Sequence, residues 1–101
     1  GIMIHSREKC SSQVFEFASK FKSMFPNIPL VAVPTSYNST KFSNLAEAGF
    51  NIVIYANHML RAAYPAMQDV AKSILEHDCS EIADQNLMSV KDILELIPGT
   101  K

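Results

Sequence analysis

The stretch NIVIYANHMLRA, residues 51–62, predicts a strand that leads directly into a helix. Its first part, residues 51–55, is mostly apolar and rich in β-branched and aromatic side chains, which is typical of a buried strand. Residues 56–58 then turn into a helix that carries Arg61. An apolar strand that brings polar groups to its carboxyl end is typical of the rim of an α/β active site.

Two earlier segments have the same layout. The apolar residues 2–4 lead to His5 and Ser6, and the apolar residues 30–33 lead through a proline to Thr35. Strands joined by right-handed crossovers run parallel, so their carboxyl ends lie at one edge of the sheet. We therefore expect these polar residues to converge on that edge.

The segments between the strands have helical patterns. Val14, Ala18 and Phe21 recur at helical spacing and predict an amphipathic helix over residues 13–24, which Pro26 ends.

A shorter helix is predicted over residues 41–48, with Phe42, Leu45 and Ala46 facing inward. Gly49 follows as its C′ residue, because glycine adopts the left-handed conformation at little cost.

The longest helix is predicted over residues 58–77, with a kink or a break at Pro65. Residues 78–87 carry no strong pattern. Ser89 begins a capping signal for a last helix, whose apolar face includes Ile93.

The predicted order is β-α-β-α-β-α followed by a terminal helix, which is an α/β fold with parallel strands. Gly1 leads directly into an apolar strand, so we expect the chain to be part of a larger fold. Residues 1–101 are assigned to a single partial domain.

Composition excludes several classes of function. A chain of 101 residues, 48% of them hydrophobic, suffices for one domain. The formal net charge of −1 provides no basic surface for nucleic acid. The apolar runs are too short to span a membrane. Cys10 and Cys79 lie far apart in sequence, which favours free thiols over a disulfide.

His5 is the leading candidate for chemistry. Its position after a buried strand suits a ligand for a phosphoryl or carboxylate group, or a proton donor near neutral pH. It is equally compatible with a hydrogen bond to a neighbouring loop. Ser6 is positioned to donate to the same anion, although a loop hydroxyl is the simpler interpretation.

The ends of the second and third strands supply weaker candidates. Thr35 is a candidate substrate ligand, whereas Tyr37 suits a structural role. Asn57 is expected to hold a loop by bonding backbone amides, and Arg61 is expected to have a carboxylate partner. No Asp or Glu directly follows any strand, so this chain by itself does not predict a metal site built from carboxylates.

The segments IMIHS, PLVAVPTSY and AGFNIVIYANHMLRA, in this order, resemble the C-terminal part of the phosphoenolpyruvate mutase family. That family belongs to the isocitrate lyase and phosphoenolpyruvate mutase superfamily. The resemblance covers nearly the whole chain, including NIPLV and SVKDILELI. Cys10 stands where relatives often have a helix-capping Asp, which bears only on local helix stability.

The resemblance implies that the chain is units six to eight of a TIM-type (β/α)8 barrel. It implies a cytoplasmic isomerase that interconverts phosphoenolpyruvate and phosphonopyruvate with Mg²⁺, at the entry to phosphonate biosynthesis. His5 would then face the substrate, with Ser6 and Thr35 as further ligands and Asn57 and Arg61 as structural neighbours.

In the family, the magnesium carboxylates, a substrate-binding arginine and the gating loop lie on earlier strands. The chain alone is therefore expected to be inactive. The family also exchanges its eighth helix between subunits, which would correspond to residues 63–76 and predicts a homo-oligomer.

Two alternatives stay open. The first is a fragment of phosphonopyruvate hydrolase, a close relative of the mutase. The second is a non-catalytic α/β interaction module. A free-standing flavodoxin-like domain is disfavoured, because the chain lacks the strand count and the phosphate loop.

Overall fold

The computed structural model describes residues 1–99 and divides the chain into two compact units, Gly1–His58 (unit 1) and the residues from Met59 onward (unit 2). Unit 1 contains β1 (Ile2–Ile4), α1 (Ser12–Met24), β2 (Leu30–Ala32), α2 (Phe42–Glu47) and β3 (Ile52–Val53). Helix α3 (His58–His77) begins at the boundary. It is followed in unit 2 by α4 (Glu81–Asp84) and α5 (Val90–Glu95). The assignment to a single partial domain stays a prediction.

The three strands form one parallel sheet in the order β1-β2-β3, which confirms the predicted parallel arrangement. Met3 lies beside Val31, and Val31 lies beside Ile52. Because side chains alternate along a strand, these three residues point to the same face of the sheet.

The other face of the sheet carries the core of unit 1. It is covered by α1, whose apolar positions were predicted from their helical spacing, and by the single inward residue of α2. Burying each large aliphatic side chain stabilises the fold by about 1.5–3 kcal/mol. The buried cluster consists of Val14, Ala18, Phe21, Leu30, Ala32, Tyr37, Leu45 and Phe50.

The face that carries Met3 and Ile52 is open. The exposed fractions of these side chains are 53% and 51%, and Val31 is half-buried. The strands that were predicted to be buried from their apolar runs are therefore covered on one face only within the described residues, since α1 and α2 both pack on the opposite face.

Helix α2 matches its prediction only in part. Gly49 has a φ of +106°, as expected of a C′ glycine. Leu45 is buried, but Phe42 is 60% exposed and Ala46 is also exposed, so their predicted inward orientation is wrong. The helix spans only six residues, and a single turn-and-a-half brings one side chain into the core.

Unit 2 is built around α3, an unbroken helix of 20 residues that passes through Pro65. A kink or a break was predicted at Pro65; the break is absent, because proline removes one backbone hydrogen bond while those on either side can persist, and the kink stays a prediction. No described residue of α3 is buried, although its apolar residues recur at helical spacing.

The chain after α3 was predicted only in part. Helix α4 lies in the stretch without a pattern. Helix α5 has the predicted cap: the Asp92 amide donates to Ser89 Oγ at 3.0 Å. Within residues 1–99, none of the helices has the combination of length and apolarity needed to traverse a bilayer.

Tyr37 makes the stability of unit 1 depend on pH. The side chain is fully buried, and its hydroxyl has no hydrogen-bond partner among the described residues. Burial raises the pKa of Tyr37, and the nearby Val33 backbone offsets only part of this effect. The unfolded chain therefore ionises first, so stability is fully present below pH ~10 and is lost as the pH rises through the folded-state pKa.

We expect Tyr37→Phe to reduce this alkaline loss of stability, as measured by urea unfolding between pH 8 and pH 11, a range that brackets the ordinary tyrosine pKa of about 10. Tyr55→Phe is the matched control, because Tyr55 is 55% exposed. The same alkaline loss in both variants would contradict the role given to Tyr37.

Candidate active site

The candidate site is the carboxyl edge of the unit 1 sheet. Because the strands are parallel neighbours, the residues that follow each strand lie along this edge. The structure thus brings together His5 after β1, Thr35 after β2, and Tyr55 and Asn57 after β3. The shared edge follows from the parallel strand order, and the convergence of the polar side chains on one site stays a prediction.

His5 is exposed and makes no side-chain hydrogen bond within the described part of the chain. It lies at an open depression of about 360 Å³ between the end of β1 and α1. The depression is also lined by Ile4, Ser6, Gln13, Val14 and Phe17. The imidazole is accessible, as a substrate ligand or proton donor requires.

Ser6 is already engaged in its own loop. Its hydroxyl donates to Gln13 Oε1 at 3.3 Å and accepts from the Glu8 amide at 3.2 Å. These contacts tie the β1–α1 loop to the start of α1. They support the structural interpretation of Ser6, which holds the backbone beside His5.

The loop after β2 is anchored by Tyr37. The Tyr37 side chain is buried in the core, and its carbonyl accepts from the Thr40 amide at 3.1 Å. Thr35, whose amide donates to the Val33 carbonyl at 2.9 Å, remains exposed. This arrangement fits the structural role predicted for Tyr37, and it holds Thr35 at the edge.

Asn57 and Arg61 lack the partners expected of them. Among residues 1–99, the Asn57 side chain makes no hydrogen bond, so the expected contact with backbone amides is not formed there. Arg61 is in neither of the two ion pairs found there, Glu16–Lys20 at 2.9 Å and Lys72–Glu76 at 3.9 Å. Its expected carboxylate partner is absent from the described chain.

His58, the first residue of α3, contacts the aromatic residue that follows β3. Its ring packs edge-on against Tyr55, with 5.7 Å between the ring centroids. Its Nδ1 is inaccessible and has no hydrogen-bond partner within residues 1–99. The contact fixes the orientation of the aromatic residue that follows β3.

The polar groups at this edge do not fit a magnesium site. Mg²⁺ prefers carboxylate and other oxygen ligands in octahedral geometry. This edge offers an imidazole, hydroxyls and an amide, and residues 1–99 contain no cluster of three or more His, Cys, Asp or Glu that would hold a metal. Residues 1–99 therefore do not supply a ligand set for magnesium at this edge.

Cys10 lies in the loop between His5 and α1. Both Cys10 and Cys79 are free and exposed. The Cys10 thiol lies 3.4 Å from Ser12 Oγ, and hydrogen bonding with Ser12 lowers the pKa of the thiol. The Cys10 thiol therefore contacts Ser12, the first residue of α1.

The comparisons with known proteins identify the family. The family model for phosphoenolpyruvate phosphomutase matches residues 1–75. The chain belongs to the phosphoenolpyruvate phosphomutase family. The matched region includes the whole candidate site and most of α3.

Relatives of known sequence include both enzymes of the predicted pair. A phosphonopyruvate hydrolase from Variovorax is 38% identical over 96 residues, which cover 94% of this chain and 32% of the relative. A phosphoenolpyruvate phosphomutase from Tetrahymena pyriformis is 30% identical over 95 residues, covering 94% of this chain and 31% of the relative. The chain thus spans about a third of the length of these relatives.

Solved structures give the same result for the fold. The phosphoenolpyruvate phosphomutase from Streptomyces platensis subsp. rosaceus superimposes with a TM-score of 0.81 at 26% identity, covering 93% of this chain and 32% of that one. A phosphonopyruvate hydrolase gives a TM-score of 0.76 at 38% identity, covering 93% of this chain and 33% of that one. These relatives are TIM barrels, so the predicted fold class, a parallel portion of a (β/α) barrel, is confirmed.

Proposed function

We propose that the chain supplies part of the active-site edge of a phosphoenolpyruvate mutase, which interconverts phosphoenolpyruvate and phosphonopyruvate. The observation that carries this proposal is the match of the family model to residues 1–75, the region that contains the polar edge. The fold similarity to a solved phosphomutase supports it.

In this proposal His5 contacts the anionic substrate. An exposed imidazole at the end of a parallel strand can donate to a phosphoryl or carboxylate oxygen, or move a proton near neutral pH. Thr35 is proposed as a second donor on the neighbouring strand end. Ser6 and Tyr37 keep the two loops in place, as their contacts indicate.

Magnesium is proposed as the cofactor of the complete site. One solved phosphonopyruvate hydrolase was determined in complex with oxalate and magnesium. A bound Mg²⁺ would polarise substrate oxygens and neutralise their charge. The edge described above does not fit as its ligand set, so no catalytic step is assigned to the ion through residues of this chain.

Phosphonopyruvate hydrolase is the second candidate activity. The Variovorax hydrolase is 38% identical to this chain, against 30% for the Tetrahymena mutase. The family model and the TM-score of 0.81 favour the mutase. Both activities use the same substrate, and they differ in their products.

The site is proposed to work in a homo-oligomer that exchanges the segment 63–76. An open groove of about 470 Å³ supports this, with an almost wholly apolar lining of Ala66, Met67, Val70, Ala71, Ile74 and Leu87. Covering a few hundred Å² of such surface at about 25 cal/mol per Å² favours association by several kcal/mol. The free thiols of Cys10 and Cys79 support a cytoplasmic location, where thiols stay reduced.

An assay with phosphonopyruvate and Mg²⁺ tests the proposed activity. We expect the isolated chain to show no turnover above background, because residues 1–99 supply no carboxylate cluster for the ion. A full-length polypeptide that carries this chain is expected to form phosphoenolpyruvate. Formation of pyruvate and phosphate would identify the hydrolase instead, and the absence of any turnover would favour the non-catalytic module.

A further inference from the structure

We propose that Asn51 and Lys22 are positioning residues that set the register of β3 against β2, and so determine which residues reach the candidate site. Asn51 directly precedes β3, at the amino end of that strand, and Lys22 lies in the last turn of α1. Neither residue has a role that its sequence pattern predicts. The inference concerns the placement of the site and holds for whichever reaction occurs there.

Asn51 makes a reciprocal pair of hydrogen bonds with Leu30. The Asn51 amide donates to the Leu30 carbonyl at 2.8 Å, and the Leu30 amide donates to Asn51 Oδ1 at 3.0 Å. The side-chain oxygen thus takes the place of a strand carbonyl and extends the ladder by one bond. Since β3 spans only two residues, this bond is a large share of the pairing that holds it.

Lys22 fixes the orientation of the Asn51 side chain. Its Nζ donates to Asn51 Oδ1 at 2.8 Å and to the Ile28 carbonyl at 2.8 Å. An asparagine oxygen that accepts from both Leu30 and a charged ammonium is held in one rotamer, because charge-assisted hydrogen bonds are the stronger kind. The contact joins α1 to the start of β3.

Gly49 leaves room for the Lys22 side chain. A Cβ built at Gly49 would lie 3.0 Å from Lys22 Cγ, and the φ of +106° also favours glycine. The chain therefore turns from α2 into β3 directly against the aliphatic part of Lys22. The turn at Gly49 and the hydrogen bonds of Asn51 together fix the residue at which β3 begins to pair with β2.

The register matters because side chains alternate along a strand. A slip of one residue would turn Val53 away from the core and exchange the faces on which Ile54 and Tyr55 lie. The Tyr55 ring packs on His58, so the slip would also shift the start of α3. Asn51 and Lys22 therefore act on the site through β3, without touching it.

Amide hydrogen exchange of the chain, followed by NMR, tests this role. In Asn51→Ala we expect the amides of Leu30, residue 51 and Ile54 to exchange at least about tenfold faster, the scale of a lost hydrogen bond or two. The Ile2 amide, which donates to the Pro29 carbonyl on the β1 side, should keep its protection. Equal acceleration of all amides, or no change at all, would overturn the proposal.

Three further variants separate register from plain stability. Asn51→Asp keeps an acceptor for Leu30 and Lys22 and should restore the protection of β3. Asn38→Ala is the control, because Asn38 is exposed and its side chain makes no hydrogen bond in the described chain. If Asn51→Ala does not fold, the same measurement is made on Lys22→Met. A loss of amide protection confined to β3 supports the proposal, and a uniform loss of protection refutes it.

Discussion

Replacing His5 by alanine in a full-length polypeptide that carries this chain is expected to lower kcat/KM by about 100-fold or more, the usual effect of losing a general acid or base. The free energy of unfolding should change by less than about 0.5 kcal/mol, as for other exposed positions. The reason is that His5 is exposed and makes no side-chain hydrogen bond among the described residues. Steady-state kinetics and urea unfolding measure the two effects.

Two companion variants refine the result. His77→Ala is the control, because His77 is also exposed but lies at the end of α3 in unit 2 and is not among the candidate site residues. His5→Gln keeps a hydrogen-bond donor without an imidazole, so partial activity would indicate a substrate ligand and lost activity a proton carrier. Normal kinetics combined with a large loss of stability would make His5 a structural residue.

Replacing Ile74 by aspartate is expected to separate the proposed oligomer into monomers. Ile74 lies in the apolar groove of unit 2 and is 40% exposed. An unpaired carboxylate on a surface buried by association costs several kcal/mol, which weakens binding by about 100-fold or more. Sedimentation equilibrium at micromolar concentrations measures the change.

Gln85→Asp is the matched control, since it adds the same charge in unit 2 at an exposed position outside that groove and outside the segment 63–76. It should leave the association unchanged. A single species of 11.2 kDa for the unaltered chain would contradict the proposed exchange of helices.

Much of unit 1 follows from local patterns. Val14, Ala18 and Phe21 were predicted to face inward from their helical spacing alone, and all three are in the buried cluster. Gly49 was predicted to end α2 because few other residues adopt its conformation, and its φ of +106° confirms this. Such features depend on neighbouring residues, which the sequence shows directly.

The errors arise where the outcome depends on distant parts of the fold. Ile52 and Ile54 look like core residues in sequence, yet they are 51% and 40% exposed. Whether an apolar strand is covered depends on what packs against it, which no local pattern reports.

The candidate site likewise has a part that the sequence predicts and a part that it does not. The convergence of His5 and Thr35 follows from parallel strand order, which the alternation of elements predicted. The bond between Lys22 and Asn51 joins residues 29 apart in sequence, and nothing in either segment indicates it. The roles of the site residues stay predictions until the variants above are measured.

The open face of the sheet has a consequence for sequence variation. Met3, Val31 and Ile52 form one row across that face. In the isolated chain, replacing one of these residues by threonine or serine would lower the free energy of unfolding only slightly. If the chain is under selection as part of a closed barrel, the same substitutions would remove apolar side chains that fill the barrel interior. Selection would then eliminate these substitutions. The mutational tolerance of this row in living cells therefore reports whether the chain is retained for the barrel or for a use of its own.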